Sequence, residues 1–513
     1  MQVNQKQQLN MKVNSYVPDF NEQSSRSGSV DIKIVSRSMG LLMYFEAALM
    51  LLSTGVSLVY GDGDLSSLLV AVGVCIAVGL AMSAYGRHAH EQPGRRESYI
   101  VVGLTWILFS AFGMIPFVYG GYIPSVTDAF FETMSGFTTT GATILDDIES
   151  LPHGILFWRA LTQWIGGLGI VFFTIALMPG FGRSRQMLFL SESTGVTHTK
   201  IHPNVRVMAR FLWLVYFTLT LSETVLLMLG GMNLFDAVCH AFATTATGGF
   251  STKSASIAYW NSPFIEYVVS LFMILSGINF TLYFYAMKGQ PIHFLREREV
   301  RWFLKSVGVL TVVITVTLMV CNGYGIEEAF RKSLFQVATC HTSCGFASAD
   351  YTLWPGFVWM LLIFAMLSGG CTGSTSGGIK NMRLMIMSQG IRNQVKQILH
   401  PQAVLPVRIN GKIIDHSIIN AVQVFFVSYM AFILIGWVLL MLCGVGLTES
   451  MSTVISAMGN VGPGLGTFGP VNSWAAMPSV AKWILSALML IGRLEIFGLL
   501  IAFYPGTWDR NLE

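Results

Sequence analysis

Four stretches of this sequence end a short polar run in a glycine-bearing turn, a combination suited to holding a dehydrated cation with oxygen atoms. They are Asp128 to Thr143 (DAFFETMSGFTTTGAT), Asp236 to Thr252 (DAVCHAFATTATGGFST), Glu328 to Asp350 (EAFRKSLFQVATCHTSCGFASAD) and Thr448 to Gly466 (TESMSTVISAMGNVGPGLG). Aligned on Gly141, Gly248, Gly345 and Gly462, they offer four ligand-bearing triplets. These are Thr139, Thr140 and Gly141; Ala246, Thr247 and Gly248; Ser343, Cys344 and Gly345; and Asn460, Val461 and Gly462. Glycine has no Cβ, so successive carbonyls can turn to one side, as replacement of hydration water demands. The hydroxyls of Thr138 to Thr140 and Thr245 to Thr247 could add further oxygens.

A second constellation lies between two apolar runs, where Ser368 to Gly378 (SGGCTGSTSGG) holds five glycines. Each costs a helix about 1 kcal/mol relative to alanine, so the stretch is expected to leave helical form and to need protein or water partners for its backbone. As a loop across a conduction path, Gly370, Cys371, Thr372, Gly373, Ser374, Thr375, Ser376, Gly377 and Gly378 could serve as a gate. Arg493 lies deep in the last apolar run, where a charge costs at least ~2.5–3.5 kcal/mol. It is expected either to pair with Glu223 or Glu266 on another helix, or to face the path and donate hydrogen bonds to that loop. Glu495, two positions on, points from another helix face.

The elements that must position these groups belong to a membrane protein. Of 513 residues, 53% are hydrophobic and 11% charged, and the lipid bilayer is the implied solvent. Ten apolar stretches approach the roughly 20 residues that cross a hydrocarbon layer. They lie near Met39 to Tyr60, Ser67 to Tyr85, Ser98 to Gly120, Ile155 to Met178, Phe211 to Gly230, Pro263 to Met287, Trp302 to Cys321, Pro355 to Met387 with a break, Ile418 to Gly446 and Trp483 to Tyr504. Placing the N-terminus on one side gathers most of the 31 Lys and Arg residues there, so both termini are expected in the cytoplasm. Topology thus explains the basic excess, and nucleic-acid binding is not implied.

The four stretches recur at intervals that fit one two-span unit each, behind an extra helix pair. Each begins with an acidic or hydroxyl residue suited to an N-cap and runs as a helix too short to span. Lying on the non-cytoplasmic side, each must dip into the membrane and return, lining a watery path or covered by protein. The C-terminal carbonyls of such a helix carry roughly half a negative charge, so four ends directed at one path favour a cation. The expected organisation is a tail at 1–38, the extra pair at 39–97, and repeats at 98–204, 205–296, 297–411 and 412–513.

Taken together, SGFTTTGAT (Ser135 to Thr143), FATTATGGFST (Phe242 to Thr252), GGCTGSTSGGIK (Gly369 to Lys380), GNVGPGLG (Gly459 to Gly466) and WRALTQWIGGLGI (Trp158 to Ile170) resemble the Trk/Ktr/HKT family of potassium transporters, and within it the TrkH type. The resemblance covers residues 39 to 505. It implies an all-α polytopic fold of two extra helices and four helix, pore-loop, helix repeats arranged pseudo-fourfold around one pore. It further implies potassium uptake across a bacterial inner membrane, an intramembrane gating loop, a homodimer and a separate cytoplasmic nucleotide-binding regulatory subunit. Glycine at the filter position of all four repeats goes with potassium preference in this family, whereas serine in the first repeat marks sodium-conducting relatives; Gly141 fits the former. The third stretch departs from the Thr-rich run with Thr342, Ser343 and Cys344. A sodium-coupled symporter or a less selective cation transporter is the alternative.

Other chemistries fit less well. Cys340, His341 and Cys344 have metal-like spacing but no fourth ligand. Gly369 to Lys380 lacks the Gly-Lys-Ser/Thr ending of a phosphate loop. A membrane-embedded lipid-modifying enzyme would need a paired aspartate-rich motif, which Asp146 and Asp147 do not supply, or a helical second His that His90 and Glu91 lack. Seven cysteines, mostly in apolar segments, suggest buried thiols, and no cofactor is expected. Asp146, Asp147 and Glu149 could concentrate cations at a pore mouth or form a solvated loop.

Overall fold

The computed structural model describes residues 30–87, 89, 93–169, 205–287, 289 and 296–504. Its helices are α1 (Ile32–Tyr60), α2 (Leu65–Tyr85), α3 (Arg95–Gly113), α4 (Ile115–Tyr119), α5 (Val126–Phe137), α6 (His153–Leu168), α7 (Val205–Leu229), α8 (Leu234–Thr245) and α9 (Pro263–Ser276). They continue with α10 (Phe280–Met287), α11 (Arg298–Asn322), α12 (Ile326–His341), α13 (Gly356–Ser368), α14 (Asn381–Leu399), α15 (His416–Leu442), α16 (Leu447–Gly459), α17 (Ser479–Arg493) and α18 (Phe497–Phe503). A two-residue antiparallel ribbon, β1 (Arg408–Ile409) and β2 (Lys412–Ile413), precedes α15.

Among the described residues six spans are long and apolar enough to cross a membrane: α1, α2, α3 with α4, α7, α11 and α15. The expected span at Pro263 to Met287 is instead two helices, α9 and α10, bent by 97°. The bend follows Gly277 to Asn279, where the Asn279 side chain caps α10 by accepting from the Thr281 N–H. Trp483 to Tyr504 is also broken, at Leu494 to Ile496, so Arg493 ends a helix rather than lying mid-span. The first helix begins at Ile32, so residues 32–38 of the expected tail are helical. Residues 1–29 and 170–178 of those expectations fall outside the described residues. Exposed side chains on α15 such as Val424, Val427, Leu434 and Ile435 are aliphatic, as lipid contact requires.

Four of the helices are short and deeply buried: α5, α8, α12 and α16. Their N-caps are Ser125, Asn233, Gly325 and Gly446; the first is a hydroxyl residue, though none is the residue that opens its stretch in sequence. The acids Asp128, Asp236, Glu328 and Glu449 instead stand three residues further, in the first turn, where negative charge meets the positive helix end. Each short helix packs between a longer helix before it and the helix after it in sequence: α3 and α6 flank α5, α7 and α9 flank α8, α11 and α13 flank α12, α15 and α17 flank α16. A second contact closes the circle, because α6 also packs on α8, α9 on α12, α13 on α16 and α17 on α5.

The α1–α2 pair packs on α3 and α6. Its turn anchors the start of α6, where the His153 N–H donates to Asp62 Oδ2 at 2.9 Å and the His153 ring reaches the same oxygen at 2.6 Å. The His153 backbone and side chain hold the Asp62 carboxyl below the usual carboxylate range.

Candidate ion pathway

Each short helix ends in the same turn. Thr140, Gly248, Cys344 and Val461 donate their N–H groups back five residues, to Ser135, Ala243, Thr339 and Ser456, at 2.8–2.9 Å. The preceding residues, Thr139, Thr247, Ser343 and Asn460, are all left-handed with φ of 54, 54, 57 and 52°. The following glycines, Gly141, Gly249, Gly345 and Gly462, have φ of 81, 77, 91 and 107°. The sequence alignment through Gly248 is therefore out of register by one. Gly249 is the counterpart of Gly141, and the second triplet is Thr247, Gly248 and Gly249 rather than Ala246, Thr247 and Gly248.

These glycines meet the next segment's carbonyl. A Cβ on Gly141 would overlap the Gly248 oxygen, one on Gly249 the Cys344 oxygen, one on Gly345 the Val461 oxygen, and one on Gly462 would lie 2.6 Å from the Thr140 oxygen. All are closer than the 3.0 Å that real Cβ atoms keep. Four carbonyls, those of Thr140, Gly248, Cys344 and Val461, thus stand in one closed ring with no room for a side chain between them.

The glycine-rich stretch lies against the helix side of this ring. The helix stops at Ser368 and resumes at Asn381, and the intervening chain touches all four segments, directly or through Arg493. The Thr375 hydroxyl donates to the Thr245 carbonyl at 3.1 Å, the Gly377 N–H donates to Ser343 Oγ at 2.6 Å, and Gly377 abuts the Gly459 carbonyl. Arg493 supplies the fourth contact, donating to Thr139 Oγ1 at 3.1 Å and to the Thr375 carbonyl at 2.9 Å. It also donates to the Gly166 and Gly167 carbonyls at 2.5 and 2.8 Å, satisfying the C-terminal end of α6. Of the expected partners, Glu266 pairs with Arg331 at 2.7 Å, and among the described residues both Glu223 carboxylate oxygens are buried without a hydrogen bond.

Further bonds hold the loop. Glu299 on α11 accepts from the Thr372 N–H at 2.7 Å and the Met382 N–H at 3.1 Å, tying both of its ends to one carboxylate. The Cys371 N–H donates to the Gly277 carbonyl at 2.8 Å, the Gly370 N–H to Ser376 Oγ at 3.0 Å, and the Phe280 N–H to the Gly373 carbonyl at 3.0 Å. Ser374 and Ser376 hydroxyls meet at 2.8 Å, and Gly378 packs on Gly369. Glu495, in the break after α17, pairs with Arg383 on α14 and lies 3.8 Å from Lys380. A cavity of about 180 Å³ is lined by Gly373 to Gly378, Phe280, Asn460 and Arg493.

Other sequence candidates take structural places. His341 Nε2 meets Ser306 Oγ at 2.6 Å, and among the described residues no cluster of His, Cys, Asp or Glu could hold a metal. Asp146 accepts from Ser473, and Glu149 accepts from the Ser254 N–H at 3.4 Å, so the acidic loop braces neighbouring loops. Sequence reading weighed Glu495 only as a neighbour of Arg493, and passed over Glu299 and the pair Arg159 and Gln163. The last two sit four apart within WRALTQW, a polar face on an apolar run, which was the available signal. Arg159 forms a buried pair with Glu132 at 2.6 Å.

Known proteins share the overall helical fold. Residues 67–508 match the TrkH family of cation transport proteins. The Trk system potassium uptake protein TrkH of Halomonas elongata is 36% identical over 94% of this chain and 100% of its own length. Its Escherichia coli K12 namesake is 35% identical over 93% of this chain and 99% of its own. The crystal structure of the potassium transporter TrkH from Vibrio parahaemolyticus superposes with a TM-score of 0.84 at 33% identity, covering 94% of this chain and all of that one. With spans enough for a multi-pass membrane protein and relatives that are bacterial transporters rather than enzymes, this chain belongs to the TrkH family of cation transport proteins.

Proposed function

We propose that this chain takes up potassium across the bacterial cytoplasmic membrane through a pore on the axis of the carbonyl ring, with the 369–380 loop as its gate. The observation that carries this reading is the closed ring itself. Four re-entrant helices aim partially negative C-terminal ends at one point, and four equivalent carbonyls there can replace hydration water. The overlap that any Cβ would make keeps the ring all-backbone, and glycine at all four positions fits potassium. The extra pair and four repeats, with boundaries near 98, 205, 297 and 412, give this pore its pseudo-fourfold form. Both termini are cytoplasmic, and potassium is cargo, so the function calls on no cofactor.

In the described conformation the loop and the Arg493 guanidinium lie against the ring, which is the closed state. A positive charge there repels cations, and its bonds to Thr375 and Thr139 hold the loop in place. Opening withdraws the loop, driven through Arg383 and Glu495 by movement of α14. That helix carries Arg392 and Lys396 on an exposed surface and docks the nucleotide-binding regulatory subunit of a homodimeric complex. Reversing both charges should abolish co-purification with such a subunit, and intact binding would remove α14 from the interface.

Rubidium uptake into proteoliposomes tests the central reading. The purified chain should accumulate rubidium without any chemical substrate, with potassium competing better than sodium. No flux from either the wild type or Arg493→Ala would overturn it, and a strict sodium requirement would point to symport.

A further inference from the structure

The ring is regular in backbone but unequal in its side-chain support. The amide of Gln163, fully buried on α6, spans Gly249: Nε2 donates to the Gly248 carbonyl at 2.6 Å, and Oε1 accepts from the Phe250 N–H at 3.0 Å. One turn earlier, Arg159 donates to the Ser251 carbonyl at 2.8 Å and lies 3.7 Å over the Phe250 ring. The helix of the first segment thus grips the turn of the second. Among the described residues, the ring carbonyls of Thr140, Cys344 and Val461 receive no such amide.

We propose that Gln163 is a specificity-determining positioning residue of the ring. The inference rests on the filter reading above. A carbonyl that already accepts a strong hydrogen bond has less free electron density for an ion, and peptide planes tied on both sides of Gly249 resist rotation. The Gly248 carbonyl is therefore the stiffest of the four ligands. A smaller ion such as sodium needs the oxygens to move inward, and the clamp opposes that movement on one side. Removing it lets the ring contract, so discrimination against sodium falls.

The test compares Gln163→Met and Gln163→Glu with the wild type and with Gly345→Ser, a ring substitution away from the clamp. Potassium-to-sodium permeability ratios are read from reversal potentials in bilayers. Gln163→Met, close in shape but without the amide, should lower the ratio by roughly tenfold, the worth of one hydrogen bond. Gln163→Glu adds a readout that a packing role would not move. Protonated, it donates to the Gly248 carbonyl and accepts from Phe250; ionised, it cannot donate. Its ratio should therefore match the wild type while the buried carboxyl keeps its proton and fall as pH rises through its titration, in a window reaching to about pH 9. The titratable and charged neighbours, Glu46 on α1, Glu132 on α5, Asp236 and His240 on α8, Arg159 on α6 and Arg493 on α17, are shared by the wild type, whose ratio at each pH is the control.

Wild-type ratios in both Gln163 variants with a lowered ratio in Gly345→Ser would overturn the inference alone. An unchanged ratio in Gly345→Ser would overturn the filter reading beneath it. Should Gln163→Met fail to fold, a ratio in Gln163→Glu that stays at the wild-type value from about pH 5 to above about pH 9 still refutes the clamp.

Discussion

The carbonyl ring and the loop beneath it are built on opposite principles. In the ring one backbone turn is repeated four times, with the same five-residue hydrogen bond, the same left-handed residue and the same glycine in each segment. In the loop nothing repeats: Glu299, Arg493, Ser343 and Gly277 each make a different contact with it. Repetition is what an ion on an axis demands, because its ligands must be equivalent. Singular side-chain contacts are what a two-state element demands, because each can be lost without disturbing the ring.

That contrast is broken most forcefully at Arg493. Its bond to the Thr375 carbonyl is charge-assisted and worth about 2 kcal/mol, so losing it shifts the balance of loop positions by more than tenfold. Arg493→Ala should raise basal rubidium flux at least roughly tenfold with the permeability ratio unchanged. Deleting residues from Gly373 to Gly377 should do the same. Wild-type flux from both, in normally inserted protein, would make loop and arginine structural.

The ring should respond in the opposite sense. Gly249→Ala combines a left-handed φ with a Cβ that overlaps the Cys344 oxygen, a strain of about 1–3 kcal/mol. The expected result is a roughly tenfold lower potassium-to-sodium ratio without higher basal flux. Gly308→Ala, on an exposed face of α11 with nothing within 4 Å, should leave both unchanged. A ratio insensitive to Gly249→Ala would return the second segment to the Gly248 register.

A smaller effect is expected where the loop joins α14. Glu495→Gln removes the charge that holds the buried Arg383 and Lys380 but keeps the side chain's shape and an acceptor oxygen, and basal flux should rise by less than in Arg493→Ala. A rise equal to that of Arg493→Ala would place the principal latch at Glu495 instead.

The smallest effect lies outside both regions, at the Asp62 and His153 anchor. Its carboxyl is held below the ordinary range, so its stabilising contribution is complete above the unfolded value near ~3.9 and is lost as pH falls through the depressed folded value. Asp62→Asn should lower the melting temperature in detergent by about 1–2 °C at neutral pH. The difference should persist down to about pH 4 and close below it. A difference that stayed open well below about pH 4 would contradict an ionised Asp62 as its source.

The parts of this architecture legible in sequence are those with a compositional cause. Five glycines between Ser368 and Gly378 announce a break because helix propensity fails there, and the helix does stop at Ser368. Apolar length marked the spans. The second segment defeated the alignment because Gly248 and Gly249 are adjacent, and only φ distinguishes them. The break after Arg493 has no glycine or proline at all. Glu495 and Ile496 are left-handed at 51 and 63°, held there by tertiary contacts such as Glu495 with Arg383, so no local signal exists. Gln163 showed only as a polar position on an apolar run and its role did not, since what its amide reaches lies 85 and 87 residues away.

The central claim is that the four-carbonyl ring selects potassium independently of the loop. Its most direct test is the reversal potential of Arg493→Ala in planar bilayers with potassium on one side and sodium on the other. The account predicts a potential close to that set by potassium, which collapses toward zero when Gly141→Ser is added to the same background. The same potential with and without Gly141→Ser, or one already at zero in Arg493→Ala alone, would contradict it.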